Sequence, residues 1–487
     1  MEQCKMECMM ERRLFEIDRL VSESVSRSPE DIPGKVMRKA ADLLVDTVGC
    51  LWAGTGADGI PEVRQTMLLW GGTPHATVLG YGDRLSAPHA ALANGAMIHA
   101  RDFDDTHDTA VNHGCVVVVP ALLAVAEAVS RPDPTGRMPV PRRRVSGEEF
   151  TAALAVGLEV ANRLGMAFIP YLHPGWLPTT LWGAFGAAAA CGRVLGLDED
   201  RMRNAFGFAY SQIHANRQAL ADARLAKRIQ VGFSGSAGVQ SAFLAARGIT
   251  AAQNVITGAF GIPQLYTAGQ MEAGHVEAGL GDFEETLRIS VKPYPCCRCT
   301  HPIIDAALEI KAGRAFGPDE IEAATAFLPP QSMAQIGTPF RIRENPTVDA
   351  QFSAAYTAAH TFIHGAPGIR DFAAERVRER TEVAELAARI SSVEFQKDSS
   401  AVVPAELHVT LKSGETLSAR VEAATGSPER PLTPGQESAK FFDCLDASCW
   451  DYPAGEKERM LQLCRNVSER DDMADFVDQL QGNKVQL

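Results

Sequence analysis

Apolar residues return every three or four positions through residues 34–54, GKVMRKAADLLVDTVGCLWAG, and glycines 56 and 59 follow. This spacing predicts a first amphipathic helix with a glycine stop. The apolar piece HATVLGYG (75–82) reads as a short strand, and beyond Ser86 and Pro88 a second helix is predicted over 90–101, ending at Asp102. Residues 120–130 predict a further helix. Four prolines and a basic run in RPDPTGRMPVPRRRV (131–145) break the pattern and read as a surface loop. Helical spacing resumes over 146–164 behind the capping-box sequence SGEE, then over 180–195, 198–214 and 227–247.

From residue 283 the period changes from helical to alternating. ETLRISVKPYP, ISSVEFQKD and AELHVTLKSGETLSARVEAATG read as strands, the last as a hairpin turning at Ser413-Gly414. Helices over 301–312 and 350–364 lie between them. The chain is therefore expected to be mainly α. It should comprise a large helical domain (1–282), a smaller α+β domain (283–427) and C-terminal helices (428–487) that pack back on the first. Residues 428–435 read as a linker, and no internal repeat is present.

A chain of 487 residues exceeds one ordinary core, in keeping with this division. The net charge of −13 argues against a nucleic-acid or anionic-membrane partner. An anionic ligand would need a local basic pocket in an acidic body. No apolar run is long enough for a membrane span, and charges interrupt the N-terminal segment where a secretory signal would be apolar. Eleven cysteines without regular spacing point to reduced thiols and a cytoplasmic protein; Cys4 and Cys8, near the terminus, are given no role.

One stretch concentrates proton-transfer groups: NGAMIHARDFDDTHDTAVNHG holds Asp102, Asp104, Asp105, Thr106, His107 and His113. Such a stretch is either an acid-rich helix end or part of an active site. Lys227, beside Arg224 and Arg228 in ARLAKRIQVGFSGSAG, opens a helix, and this is either a solvated basic turn or a carboxylate site built on free backbone N–H groups. In SVKPYPCCRCTHPIID, Cys296, Cys297, Cys299 and His301 lack the paired arms of a zinc site. A cysteine nucleophile there would need a base; the simplest account is a rigid loop presenting Lys292 and Cys297 to a cleft between the domains. His173 in YLHPGW, and Tyr356 with His360 one helical turn apart, read as packed residues.

Taken together and in order, NGAMIHARDFDDTH, the later His113, VVPALLAVAEA, GLEV, GAFGAAAA, LAKRIQVG and KPYPCCRCTHPIIDAALE make nearly the whole chain resemble the MmgE/PrpD family, whose members include 2-methylcitrate dehydratase, cis-aconitate decarboxylase and iminodisuccinate epimerase. The resemblance implies a large helical domain, an α+β lid, a cleft between them, a homodimer, and chemistry without metal or organic cofactor on a small anionic carboxylic acid. It carries over Asp102, Thr106, His113, Lys227 and Lys292 as cleft residues; the local reading of their segments adds Arg228, Cys297 and His173 as further substrate-binding candidates. Two positions depart from the family's pattern. Leu177 in GWLPTTLWGAFGAA stands where a histidine is expected, with His173 four residues earlier, and LPPQSMAQIG lacks the tyrosine of decarboxylase members.

The implied reactions move a proton or a carboxylate at a carbon beside another carboxylate. Lys227 and Lys292 suit the negative charge that builds there, and His113 suits the base, with Asp102 orienting it or acting itself. The expected function is a lyase that dehydrates or decarboxylates a di- or tricarboxylic acid. An epimerase of a dicarboxylic acid or a non-catalytic carboxylate-binding homologue are the alternatives.

Overall fold

The computed structural model describes residues 19–133, 135–395, 402–482 and 485–486. Cys4, Cys8 and the end of ISSVEFQKD lie outside the described residues. The molecule is mainly α. Its first and larger hydrophobic interior is built by α1 (Gly34–Gly54), α2 (Ile60–Trp70), α3 (Ala87–His99), α4 (Cys115–Ser130), α5 (Gly147–Phe168), α6 (Pro178–Val194), α7 (Glu199–Tyr210) and α8 (Ala226–Ala246). No helix among the described residues is long and apolar enough to cross a membrane.

Helix α8 lies against α3, α4, α6 and α7, while α1 packs on α3. Small residues permit this density. A Cβ added at Gly232 of α8 would sit 2.4 Å from the Leu92 carbonyl oxygen of α3, and one at Gly95 would sit 3.2 Å from the Gly232 Cα. Here α3 and α8 cross backbone to backbone and antiparallel, so the end of α3 meets the start of α8. That crossing brings Asp102 to Lys227, although 125 residues separate them.

HATVLGYG forms only β1 (Ala76–Thr77), paired with β2 (Arg84–Leu85). Strand β3 (Thr106–His107) pairs antiparallel with β4 (Ile289–Ser290). This corrects the strand expected over ETLRISVKPYP: Glu284–Leu287 is a helical turn, and the short remainder joins the acid-rich loop of the large unit instead of the small sheet. Two prolines, 293 and 295, lack the N–H groups that a longer ladder needs.

The second interior contains a four-stranded sheet, β5 (Ile321–Leu328), β6 (Ile390–Glu394), β7 (Ala405–Leu411) and β8 (Thr416–Val421), in the order β6-β5-β7-β8. Only the β5–β6 pair is parallel. Ala405, Leu407, Val409 and Leu411 face inward on alternate positions, and α9 (His301–Gly313) covers β7 and β8 with α10 (Ala354–His364) beside it. The helix expected over 350–364 is broken, because Ser353 caps α10 and a separate turn, Pro346–Gln351, precedes it. Beyond the sheet the chain returns to the first interior through α11 (Pro434–Asp446) and α12 (Ala454–Arg465). Thr433 and Gln436 form a reciprocal cap, so the expected linker ends at residue 433, and Lys440 of α11 pairs with Asp46 of α1.

Candidate active site

Between the two interiors lies a cavity of about 300 Å³. Helix α3 ends at His99, and at Asp102 the backbone turns left-handed with φ 53°, a conformation that aspartate tolerates better than most residues. The turn aims the Asp102 carboxylate between two lysines: Oδ1 lies 3.2 Å from Lys227 Nζ and 3.1 Å from Lys292 Nζ. Lys292 also donates to the Asp102 carbonyl at 2.9 Å. The β3–β4 pairing explains its reach, since Lys292 follows a strand already fixed to the acid loop. Oδ2 of Asp102 is buried and has no hydrogen-bond partner among the described residues.

The charge states follow from this geometry. Burial alone would raise the Asp102 carboxyl, but the two ammonium groups outweigh it and hold the group far below the usual carboxylate range. Burial would lower Lys292, and the charges of Asp102 and Asp104 reverse that, so its pKa lies above the ordinary lysine value. Each of the two buried groups thus favours the charged form of the other. Lys227 also stands over the Phe352 ring at 4.9 Å.

His113 lines the same cavity. Its Nδ1 lies 3.0 Å from Oδ2 of Asp104, a close though not an in-line approach, and that carboxylate also lies 2.9 Å from Nδ1 of His99. Burial pushes His99 down to about 4 in spite of Asp104, so it is neutral near pH 7. His99, Asp104 and His113 are also the one trio of side chains among the described residues whose donor atoms converge closely enough to hold a metal ion. His107 belongs elsewhere, paired with Glu285 at 2.9 Å.

The other predicted positions divide. Thr106 lines the cavity, with its buried hydroxyl unpartnered among the described residues. Cys297 lines it too, and its thiol is lowered by the neighbouring Cys299 against the effect of burial. His173 and Leu177 both reach it; His173 is largely exposed and accepts a bond from Gly175 N–H. Arg228 does not line it, because its guanidinium donates to the Asp58 carbonyl at 2.8 Å. Cys296, Cys299 and His301 do not join as metal ligands: Cys296 faces the Thr300 hydroxyl, Cys299 the Cys297 thiol, and His301 the guanidinium of Arg298.

Four contributors were not among the expected site residues. Arg298 is buried and binds Asp108 with contacts of 3.0 and 3.1 Å, and both line the cavity. Arg217 lines both this cavity and an adjoining outer chamber of about 660 Å³. Gln335 comes from LPPQSMAQIG, the stretch without tyrosine, and it too borders both spaces. Four cationic side chains, Lys227, Lys292, Arg217 and Arg298, thus face two carboxylates, Asp102 and Asp108, in a chain whose net charge is −13. An anion finds there the local positive field that the surface as a whole denies it.

Asp105, behind the cavity, accepts from Cys115 N–H and is pushed up to about 7 by burial and by the charge of Asp104. A carboxyl that keeps its proton to about pH 7 when folded, but only to about pH 4 when unfolded, contributes stability that is full at low pH and lost as the pH rises through 7. Asp105→Asn should remove that decline. Between pH 6 and 8 the wild type should lose about 1 kcal/mol relative to the variant, as measured by urea unfolding at both values; parallel curves would show that Asp105 is ionised throughout.

Comparison with known proteins adds the following. Residues 21–273 match the MmgE/PrpD N-terminal domain and residues 294–466 the MmgE/PrpD C-terminal domain. A cis-aconitate decarboxylase of Aspergillus terreus is 28% identical over 420 residues, 82% of this chain and 83% of the relative. The Homo sapiens cis-aconitate decarboxylase is 26% identical over 461 residues, covering 92% and 91%. A cis-aconitate decarboxylase-like protein of Aspergillus oryzae is 29% identical over 350 residues, covering 69% and 71%.

Proposed function

The chain belongs to the MmgE/PrpD family, and on that footing we propose that it is a lyase acting on a small tricarboxylic acid, with decarboxylation of a cis-aconitate-like substrate as the leading reaction. The observation that carries this reading is the Lys227–Asp102–Lys292 cluster, with Asp102 and Lys292 buried, opposite His113 in one cavity. The curated relatives named above point the same way.

A substrate carboxylate binds beside the two ammonium groups. When the bond from carbon to a second carboxylate breaks and CO₂ leaves, the electron pair passes into the remaining unsaturated carboxylate. Fixed cations in a cavity shielded from water stabilise that charge by several kcal/mol (on the order of 3–4), because they need not reorganise. The imidazolium of His113 then gives its proton to carbon and ends neutral. Dehydration uses the same parts in another order: His113 takes the proton beside the carboxylate, and hydroxide leaves from the neighbouring carbon. Asp102 is too weak a base for either step, and its role is to hold the lysines.

A second reading has its own support. Leu177 puts an apolar wall where a proton carrier is expected, and no tyrosine among the described residues lines the cavity. A proton shift within a dicarboxylic acid needs fewer groups and suits such a site.

Incubation with citrate-, aconitate- and aspartate-like acids in D₂O with EDTA, followed by NMR, separates the readings. The lyase reading expects loss of CO₂ or water from a tricarboxylate, undiminished by the chelator. Deuterium uptake without net change would establish the epimerase, and silence across the panel would overturn both in favour of a binding protein. The proposal includes a cytoplasmic homodimer that works without metal or organic cofactor.

A further inference from the structure

Two carboxylates stand near His113, and they differ in kind. Asp102 is committed to two lysines through Oδ1 and its carbonyl. Asp104 is fully buried, and it is the carboxylate that faces the imidazole, with Oδ2 3.0 Å from His113 Nδ1. On its other side His99, at 2.9 Å, approaches the same carboxylate, and the two histidine rings stand edge to face with centroids 5.1 Å apart. The His113 backbone is fixed as well, since its N–H donates to the Thr179 hydroxyl of α6 at 3.0 Å. His113 Nδ1 is buried and has no hydrogen-bond partner among the described residues, its 3.0 Å approach to Asp104 being out of line, so Nε2 is the ring nitrogen left for the cavity.

We infer that Asp104 is the positioning residue of this site: its carboxylate holds the Nδ1–H of His113 and leaves Nε2 as the atom that takes or returns the substrate's proton, while His99 donates its own Nδ1–H to keep the carboxylate in place. The inference rests on the reading of His113 given under Proposed function. In the step itself one proton moves between substrate carbon and Nε2, and the Nδ1 proton stays on His113 throughout. The carboxylate stabilises the imidazolium that forms, as a buried anion does for any histidine base. The charged and titratable groups surrounding Asp104 are His99, His113, Asp105, Asp46, Lys227 and Lys292. Burial favours the protonated form of Asp104, and the two histidines more than offset it, so the group remains an anion.

The test compares Asp104→Asn, His113→Gln and the double variant on the full-length protein, with ¹⁵N-histidine NMR as a readout independent of activity. Wild-type His113, assigned by its loss in His113→Gln, should show the Nδ1–H tautomer when neutral. In Asp104→Asn the tautomer should become mixed, and kcat should fall about a hundredfold or more with KM little changed. The limb of its kcat/KM profile that His113 sets, alkaline for decarboxylation and acid for dehydration, should also move to lower pH. The double variant should be no slower than His113→Gln alone. An unchanged tautomer, or losses that multiply in the double variant, would overturn the positioning role. So would one equivalent of divalent metal in the purified wild type that Asp104→Asn lacks, because the trio would then be ligands. Should Asp104→Asn fail to fold, an Nε2–H tautomer in the wild type would overturn it alone. Full activity in His113→Gln would instead sink the reading of His113 as the proton carrier, whatever the NMR shows for Asp104.

Discussion

Lys292→Met should lower turnover by at least about a hundredfold and, unlike loss of a surface lysine, should also cost about 3–5 kcal/mol of folding stability. Both effects have one origin. Lys292 is completely buried, and among the described residues its ammonium group bonds only to Asp102, through Oδ1 and the carbonyl. Removing it leaves a buried carboxylate with Lys227 alone, and breaking a buried pair by taking one partner costs more than the pair itself contributes. The two effects separate in the double variant Lys292→Met/Asp102→Asn. Stability should largely recover, because no fully buried charge is left unpaired and Lys227, which also loses Asp102, is partly exposed, whereas activity should not, because the fixed cation is still missing. Lys292→Arg should restore neither fully, since a planar fork cannot occupy the space of a compact ammonium enclosed on all sides. Steady-state kinetics and denaturant unfolding of the same preparations decide the matter. Near-normal turnover in Lys292→Met would remove this lysine from the chemistry.

The parts of this site that were legible in the sequence are those carried by residue type within a short window. The acid-rich stretch after α3 and the lysines at 227 and 292 stood out locally, and the structure has Asp102, Thr106, His113, Lys227 and Lys292 around one cavity. Geometry that changes direction between neighbours was not legible. Lys227 and Arg228 are adjacent, but successive residues on a helix point about 100° apart, so one faces Asp102 and the other Asp58. The left-handed turn at Asp102 had the same consequence. It directs Asp102 to the lysines and leaves Asp104 to face His113, a division that the run of aspartates did not reveal. Asp108 with Arg298 was invisible because 190 residues intervene. Strand β5 escaped for a different reason. IEAATAFL is rich in alanine, a poor strand former, and a register shift between Ile321 and Ala323 interrupts its alternation; its pairing with β6 and β7 creates it.

The second large effect is expected at a residue with no side chain, in Gly186→Val. In GAFGAAAA the glycine lies on α6 where that helix crosses α5, and the contact is reciprocal: a Cβ at Gly186 would lie 2.4 Å from the Gly157 carbonyl oxygen, and one at Gly157 would lie 2.7 Å from the Gly186 carbonyl oxygen. No rotamer relieves a clash between a Cβ and a backbone atom, so the helices must separate. Overpacking of this kind costs about 1–3 kcal/mol and occasionally more; with backbone on both sides, about 3 kcal/mol is expected. The separation also has a catalytic consequence. Helix α6 carries Thr179, whose hydroxyl accepts the His113 N–H, and Thr180, which ties the start of that helix to the carbonyls of Leu177 and His214. A displacement of about 1 Å there would misplace the imidazole, an error that can reduce turnover by about a hundredfold. The folded fraction of Gly186→Val should therefore show reduced kcat as well as reduced stability. Gly313→Ala is the control, since a Cβ there meets nothing within 4 Å and α9 ends at that residue. Equal stability of Gly186→Val and wild type, within about 1 kcal/mol, would mean that α5 and α6 can part without loss and that the glycine crossing does not set the position of His113.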